Sequence, residues 1–269
     1  MPEQRKLRGL TLNELIAWKT PYHPYIIDHD ILLSEGTLGI YGAEGTWKSN
    51  MMLDLMFRVA NGEPWFGFKT QKSPVFYFQS EVPQAPLQKR ALKYAMGNKL
   101  SGENFWFCTE LYEKIDKGWG FTELEKEIAR TRPQLLIIDP VYNSVAAKLV
   151  DDYEVGLFLD RLNILRATYK LAIILVHHSR QAEHGEGETY HYGTDEWFGS
   201  TRFKRWLDTM IYVETTSNSD YTTDLRLTFE KTRHAESLIR PIDIRAYRND
   251  LTFKRIGEPD GIQTGNIIQ

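Results

Sequence analysis

Short apolar runs that alternate with longer amphipathic segments constrain the fold of this 269-residue chain more than any other feature. The runs are rich in β-branched and aromatic residues and predict strands at 37–41, 75–79, 104–108, 135–139, 171–176 and 209–213. Apolar residues at helical spacing predict helices between most of them, at 49–60, 86–95, 121–131 and 153–169. Because strands that alternate with helices form βαβ units, we expect an α/β fold with a mostly parallel sheet covered on both faces.

The C-terminal part follows a different pattern. Between residues 224 and 255, the runs "LRLTFEKTR", "IRPIDIRAY" and "LTFKRIG" predict an antiparallel meander that closes the sheet. The length suits one large domain better than two, and no repeat or linker-like stretch divides the chain. We therefore expect a lead segment at 1–35 and a single main domain at 36–269.

Composition excludes several classes of protein. A 42% hydrophobic and 26% charged chain is typical of a globular protein. The apolar runs are too short for a membrane span and the start lacks the apolar core of a signal peptide, so we expect a cytoplasmic protein. Cys108 is the only cysteine, which excludes an intrachain disulfide and a cysteine-rich zinc module. With a net charge of -3, any contact with nucleic acid must come from a local basic patch.

The stretch "IYGAEGTWKSN", residues 40–50, matches the phosphate-loop pattern GxxxxGK[ST] except at Trp47, where a glycine is usual. It lies between a predicted strand and a predicted helix, as such a loop must. Lys48 would contact the β- and γ-phosphates of ATP, and Ser49 would bind Mg²⁺. The nucleotide-binding candidates are Gly42, Ala43, Glu44, Gly45, Thr46, Trp47, Lys48, Ser49 and Asn50. We expect the large Trp47 side chain to point outward. The alternative is a glycine-containing turn with an incidental Lys-Ser pair.

Two carboxylates follow predicted strands. "PQLLIIDP" ends its strand at Asp139, where a Mg²⁺-associated ligand is required, although an aspartate there can also be a simple cap. "VFYFQSE" ends at Glu81, which could orient and deprotonate the water that attacks the γ-phosphate. The alternative for Glu81 is a solvated side chain before Pro83.

Two histidines end the strand in "LAIILVHHSR". Adjacent residues of a strand point to opposite faces, so only one of them should face a nucleotide, and we assign the γ-phosphate contact to His178 rather than His177. A zinc site that adds His184 and His191 is an alternative that the absence of nearby cysteines disfavours, so we expect no zinc. Another alternative is that the two histidines are a hydrogen-bonded pair without a catalytic role.

In this order the motifs resemble those of the RecA-superfamily ATPases, and most of all the RepA-type hexameric replicative helicases of plasmids and phages. The resemblance extends from about residue 10 to 255 and includes "ANGEPWFGF" at 60–68, "IIDP", "VHHSR" and a "GS" helix start at 199–200. It implies a RecA-like core that uses ATP and Mg²⁺. It also implies that Glu81 activates water, that Asp139 is associated with Mg²⁺, and that His178 is a γ-phosphate sensor.

The resemblance further implies contacts between subunits. "FEKTRHAE" at 229–236 is similar to the KxR element of the family, which places Lys231 and Arg233 at the γ-phosphate of a neighbouring subunit. The alternative is an exposed basic strand end. Arg90 lies where relatives stack a cationic side chain on adenine. The N-terminal segment predicts a helix and an extended stretch, which ring-type relatives use as a subunit contact. A homo-oligomer follows, with a hexameric ring favoured.

Single-stranded DNA is the partner implied by this family, whose loops after "IIDP" and "VHHSR" face the central channel. Here residues 181–198 contain five acidic residues and no lysine or arginine, which makes a poor phosphate binder. Basic residues flank the segment, and three aromatic residues in it could stack bases, although a solvated surface loop is equally compatible. The flanking candidates are Arg180, Arg202, Lys204 and Arg205, and the aromatic ones are Tyr190, Tyr192 and Trp197.

Three classes of function therefore remain. The first is an ATP-driven motor on single-stranded DNA, a replicative helicase or translocase. The second is a RecA-like DNA-binding ATPase that does not unwind, such as a recombination, repair or loading factor. The third is a small-molecule P-loop kinase, which would need an arginine-rich lid where this chain has the acidic segment 181–198.

Overall fold

The computed structural model describes residues 9–19, 24–98, 104–109, 114–179, 197 and 199–257. Within these residues, nine strands form one sheet in the order β11-β10-β9-β8-β3-β7-β6-β4-β5, and β1 and β2 form a small hairpin. The strands are β1 (Tyr25–Ile27), β2 (Leu32–Leu33), β3 (Thr37–Gly42), β4 (Val75–Gln79), β5 (Phe105–Cys108), β6 (Leu135–Asp139), β7 (Ala172–His178), β8 (Thr209–Asn218), β9 (Thr222–Thr232), β10 (Ile242–Tyr247) and β11 (Phe253–Ile256).

The central part of the sheet is parallel. β3 pairs in parallel with both β7 and β8, and β6 pairs in parallel with β7 and β4. The register sets Gly42 beside His178, and Gln79 beside Asp139. Since parallel strands end at a common edge, these residues lie at the carboxyl edge where α/β sheets bind ligands. The predicted strands of this part are all present.

The C-terminal strands are antiparallel, as the sequence predicts. β9 pairs with β8 and with β10, and β10 pairs with β11. Thr232 lies opposite Thr209, which pairs with Leu38 near the start of β3. The end of β9 therefore lies at the amino edge of the parallel strands, away from the phosphate-loop candidate.

The described residues also form helices, most of which cover the sheet. They are α1 (Leu12–Ala17), α2 (Lys48–Asn61), α3 (Gln84–Asn98), α4 (Gly118–Thr131), α5 (Val141–Ser144), α6 (Asp152–Tyr169) and α7 (Thr201–Trp206). The four helices predicted from periodicity correspond to α2, α3, α4 and α6. The helix start implied at Gly199-Ser200 is α7, where the Ser200 hydroxyl accepts a hydrogen bond from the Arg202 N–H at 3.1 Å. No helix among the described residues is both long enough and apolar enough to cross a bilayer.

Two apolar cores lie on the two faces of the sheet. The first includes the buried face of α2, the aromatic residues of the "ANGEPWFGF" segment and the β1–β2 hairpin. The second includes α6 and the residues of α4 that face the sheet. Because Ile26, Ile27 and Leu32 belong to the first core, the hairpin within the expected lead segment packs on the main domain. α1 buries no residue.

Candidate active site

The phosphate-loop candidate connects the central strand β3 to α2, as the motif requires. Gly42 ends the strand where a Cβ atom would lie 2.1 Å from the Val213 carbonyl oxygen, so only glycine fits. Gly45 has a φ of 78°, which glycine adopts without steric cost. α2 then begins at Lys48. The first N–H groups of a helix have no intrahelical acceptor, so this junction is an anion-binding position.

Trp47 occupies the left-handed region, with a φ of 61° and a ψ of 11°. This is the conformation that glycine usually supplies. The indole packs edge-on against Phe253 of β11 with 5.9 Å between ring centroids, and the Arg248 guanidinium lies 5.5 Å from its ring centroid. The expectation that Trp47 points outward is therefore wrong. Its side chain is half-buried against the antiparallel strands, which the sequence could not place beside the loop.

Lys48 is buried inside the loop. Its ammonium group donates to the carbonyl oxygens of Gly42 at 2.8 Å and Ala43 at 2.5 Å, and to the Thr46 hydroxyl at 3.1 Å. Burial lowers the pKa of Lys48 to about 8, although the negative charges of Asp139 and Glu81 act in the opposite direction. A buried cation with only neutral acceptors is suited to bind an anion such as a phosphate group.

Asp139 is a buried carboxylate at the end of β6. Its Oδ2 atom accepts from the Tyr77 hydroxyl at 2.5 Å and lies 3.4 Å from the Gln79 amide nitrogen. Burial raises the pKa of Asp139 to about 6, while hydrogen bonds from Tyr77 and Ser49 act to lower it. The Ser49 hydroxyl and this carboxylate are the hard oxygen ligands that Mg²⁺ prefers, and a cation would offset the cost of burying the charge. The two residues therefore fit a magnesium ion.

Glu81 is exposed beside this pair. Its Oε1 atom accepts from the Tyr142 hydroxyl at 3.3 Å. Its charge raises the pKa values of both Lys48 and Asp139, because the three groups lie near one another. Tyr142 was not identified from the sequence, and nothing there signals its role except that it follows the "IIDP" strand.

The main chain at Glu81 is held by a second residue that the sequence did not reveal. The Oε1 atom of Gln79 accepts from the N–H groups of Glu81 at 2.6 Å and Val82 at 2.9 Å. The only signal in the sequence is an amide at the end of the apolar run "VFYFQ".

The two histidines lie on opposite faces of β7, as alternation predicts. His178 lies on the side of the loop, and its ring centroid is 5.0 Å from that of Tyr142. Burial lowers the pKa of His178, and the positive charge of Lys48 lowers it further. His177 is buried on the other face, and its ring centroid is 5.0 Å from that of Trp197. Within the described residues no three histidine, cysteine or carboxylate side chains are grouped to hold a metal ion; His184 and His191 lie outside that part.

The KxR candidates lie at the amino edge of the sheet. The Lys231 ammonium donates to the carbonyl oxygens of Lys204 at 2.5 Å and Leu207 at 2.6 Å, at the C-terminal end of α7. Arg233 is paired with Asp208 at 2.7 Å, and its side chain is 44% exposed. The fold does not bring either residue to the loop of its own chain. Only the phosphate of another copy is compatible with the predicted role.

The remaining candidates are dispersed. Arg90 is half-buried on α3, and its charge acts on the pKa of Tyr77 near the Asp139 carboxylate. Arg202 and Arg205 are exposed on α7 and line a groove against α6, whereas Lys204 is half-buried. Arg180, Tyr190 and Tyr192 lie outside the described residues.

Trp197 does not have the exposure that base stacking requires. Its side chain is fully buried and packs against Tyr41, His177 and Phe203 in the second core. The prediction that it stacks on a base is therefore wrong, because long-range packing buries a residue that follows a mostly polar segment.

Several solved structures share this fold. A DnaB-like replicative helicase, whose structure was described with its interactions with primase, superposes with a TM-score of 0.63 at 11% identity; the match covers 83% of this chain and 59% of that one. The RadB recombinase gives a TM-score of 0.56 at 13% identity, over 83% of this chain and 92% of that one. A KaiC-like protein from the hyperthermophilic archaeon Pyrococcus horikoshii gives 0.53 at 12% identity, over 84% and 91%.

The chain thus spans about 59% of the length of the DnaB-like helicase. No curated protein matches this chain by sequence. Residues 2–184 of the 269 match the AAA domain family. The chain therefore belongs to the AAA domain family and has the fold of the RecA-superfamily P-loop ATPases.

Proposed function

We propose that this protein hydrolyses ATP at the carboxyl edge of its sheet and acts as an oligomeric motor on single-stranded DNA. The observation that carries the catalytic part is the connection of three functional groups at one edge. Ser49 of the phosphate loop acts to lower the pKa of Asp139, and Gln79 lies between Asp139 and the main chain of Glu81. A phosphate-binding loop, a magnesium ligand and a base are the groups that phosphoryl transfer to water requires.

Each residue then has a chemical role. Lys48 and the N-terminus of α2 would bind and neutralise the phosphates. Bound with the nucleotide by Ser49 and Asp139, Mg²⁺ would supply further charge neutralisation. Glu81 accepts a proton from water as the water oxygen bonds to the γ-phosphorus and the bond to the ADP oxygen breaks. His178 would detect whether the γ-phosphate is present.

The proposal that the protein forms an oligomer depends on residues at the opposite, amino edge of the sheet. Since Lys231 and Arg233 cannot reach the loop of their own chain, a finger made by them needs a second copy. α1 supports assembly as well, because it is an apolar helix whose Leu12, Leu15 and Ile16 are exposed. A hexameric ring is the form that the resemblance to RepA-type helicases favours.

The DNA part is supported by the likeness to the DnaB-like helicase and by the basic residues Arg202, Lys204 and Arg205. The acidic segment 181–198 and the similarity to the RadB recombinase favour a second candidate, an ATPase that binds DNA without unwinding it. The small-molecule kinase stays the third candidate. It requires phosphate transfer to an acceptor other than water.

Steady-state ATP hydrolysis by the wild type and by Lys48→Ala, each with and without single-stranded DNA, tests the proposal. We expect turnover that DNA stimulates and that Lys48→Ala abolishes, and an unwinding assay then separates the first two candidates. A wild type that neither binds nor hydrolyses ATP would contradict the proposal. Turnover that DNA does not change would contradict its DNA part alone.

A further inference from the structure

Gln79 is a fully buried amide at the end of β4, beside the catalytic candidates. Its oxygen accepts two hydrogen bonds, from the Glu81 N–H at 2.6 Å and the Val82 N–H at 2.9 Å. Its nitrogen lies 3.4 Å from Oδ2 of Asp139. The side chain therefore contacts the main chain on one side and the buried carboxylate on the other.

An amide suits this position better than other side chains of similar size. It presents an acceptor and a donor on adjacent atoms, whereas an ionised carboxylate only accepts and leucine does neither. Burying an amide is unfavourable unless its polar atoms are hydrogen-bonded, and here both ends have partners. The position of Gln79 thus reflects its contacts more than a general preference for a polar residue in a strand.

The contacts lie where the main chain leaves the sheet. The last main-chain hydrogen bond from this segment to β6 joins the Ser80 N–H to the Asp139 carbonyl oxygen at 3.0 Å. Beyond that point the N–H groups of Glu81 and Val82 are bonded to Gln79 instead of a neighbouring strand. Gln79 therefore fixes the direction in which the Glu81 side chain leaves the backbone. The carboxylate of Glu81 itself is exposed and has a longer contact, 3.3 Å, with Tyr142.

We propose that Gln79 is a positioning residue that holds the Glu81 main chain at a fixed distance from Asp139. The base and the magnesium-associated carboxylate then keep their relative positions when nucleotide binds. This inference rests on the proposed ATPase function. It adds a residue that acts through Glu81 and makes no contact of its own with the reacting atoms.

The test compares kcat with the affinity for a non-hydrolysable magnesium–ATP analogue in two variants. Gln79→Leu keeps the volume and removes both polar functions, and we expect kcat to fall about 100-fold, the cost of a misplacement of about 1 Å, with the Kd changed less than about threefold. Gln79→Glu keeps an acceptor for the two N–H groups and loses the amide donor. We expect an intermediate loss of about tenfold in kcat, again with little change in Kd.

Thr131→Val is the matched control. It removes a buried hydroxyl that donates to the Glu127 carbonyl at 2.7 Å, at the end of α4 and away from the site. Its kcat should equal that of the wild type, and thermal unfolding should show that every variant is folded. If Gln79→Leu does not fold, Gln79→Glu carries the test.

Two results would overturn the assignment. The first is a folded Gln79→Leu, or in its absence a folded Gln79→Glu, with the wild-type kcat. The second is a parallel loss of kcat, analogue binding and thermal stability, which would make Gln79 a structural residue only. A wild type that binds the analogue but shows no turnover would instead overturn the proposed ATPase function, and the role of Gln79 with it.

Discussion

Trp47 carries two opposing energetic contributions that substitutions can separate. A residue other than glycine in the left-handed region costs roughly 1–2 kcal/mol. In the other direction, complete truncation of a buried tryptophan costs about 3–5 kcal/mol, so loss of this half-buried side chain should cost about 2 kcal/mol. That figure includes the edge-on contact with Phe253 and the contact with Arg248.

The two substitutions differ in which contribution they remove. Trp47→Ala loses the packing and keeps the strained backbone, so we expect the free energy of unfolding to fall by about 2 kcal/mol. Trp47→Gly loses the same packing but relieves about 1 kcal/mol of strain, so the expected fall is only about 1 kcal/mol. The smaller residue should therefore give the more stable protein, the reverse of what loss of apolar volume alone would produce.

Urea denaturation of the three proteins measures this order, and Phe253→Leu in a double-mutant cycle with Trp47→Ala isolates the ring contact. A coupling energy of about 0.5–1.5 kcal/mol is expected for the pair. We also expect Trp47→Gly to retain ATP hydrolysis, because it leaves unchanged the backbone N–H groups that we propose to bind phosphate. If Trp47→Ala is as stable as Trp47→Gly, the left-handed conformation is refuted; if neither loses stability, the packing on β11 is refuted.

Three further predictions concern the charged residues Lys48 and Arg233. Burial lowers the pKa of Lys48 from 10.5 to about 8, and bound phosphates favour its charged form. Nucleotide affinity should therefore fall up to about tenfold per pH unit above pH 8. Lys48→Arg stays charged and should show no such decline. Because of the same lowered pKa, the native state loses this proton at a lower pH than the unfolded state does. As the pH rises from 8 to 10.5, the free energy of unfolding should therefore rise by up to about 3 kcal/mol. Urea titrations measure this rise as a difference between the wild type and Lys48→Met. If Arg233 acts on a neighbouring copy, Arg233→Ala and Lys48→Ala should each be inactive alone and regain part of the wild-type turnover when mixed, since some sites then combine an intact loop with an intact finger. Mixtures that stay inactive, although the two variants co-assemble, would contradict a shared site.

Local patterns in the sequence predicted the parts of the molecule that local chemistry determines. The alternation of apolar runs and amphipathic segments indicated the parallel strands and the four long helices, and the glycines of the loop indicated its turns. α5 and α7 have only four and six residues, too few to show a period, and they were found only through the resemblance or not at all.

Contacts between distant segments could not be predicted. The ring of Trp47 packs on β11, and Trp197 is buried in the second core although it follows a mostly polar segment. Gln79 and Tyr142 matter because of partners on other elements, which one sequence does not display. The amino-edge position of Lys231 follows from the strand order, which a list of motifs leaves open.

The proposed function depends most directly on Glu81 as the base in ATP hydrolysis at the phosphate loop. The most direct test compares the wild type with Glu81→Gln. This substitution keeps the size of the side chain and the main-chain N–H that donates a hydrogen bond to Gln79. Binding of a magnesium–ATP analogue and single-turnover hydrolysis of ATP are measured on the same preparation. We predict that Glu81→Gln binds the analogue as the wild type does and hydrolyses ATP at least about 100-fold more slowly. Hydrolysis at the wild-type rate would show that Glu81 is not the base.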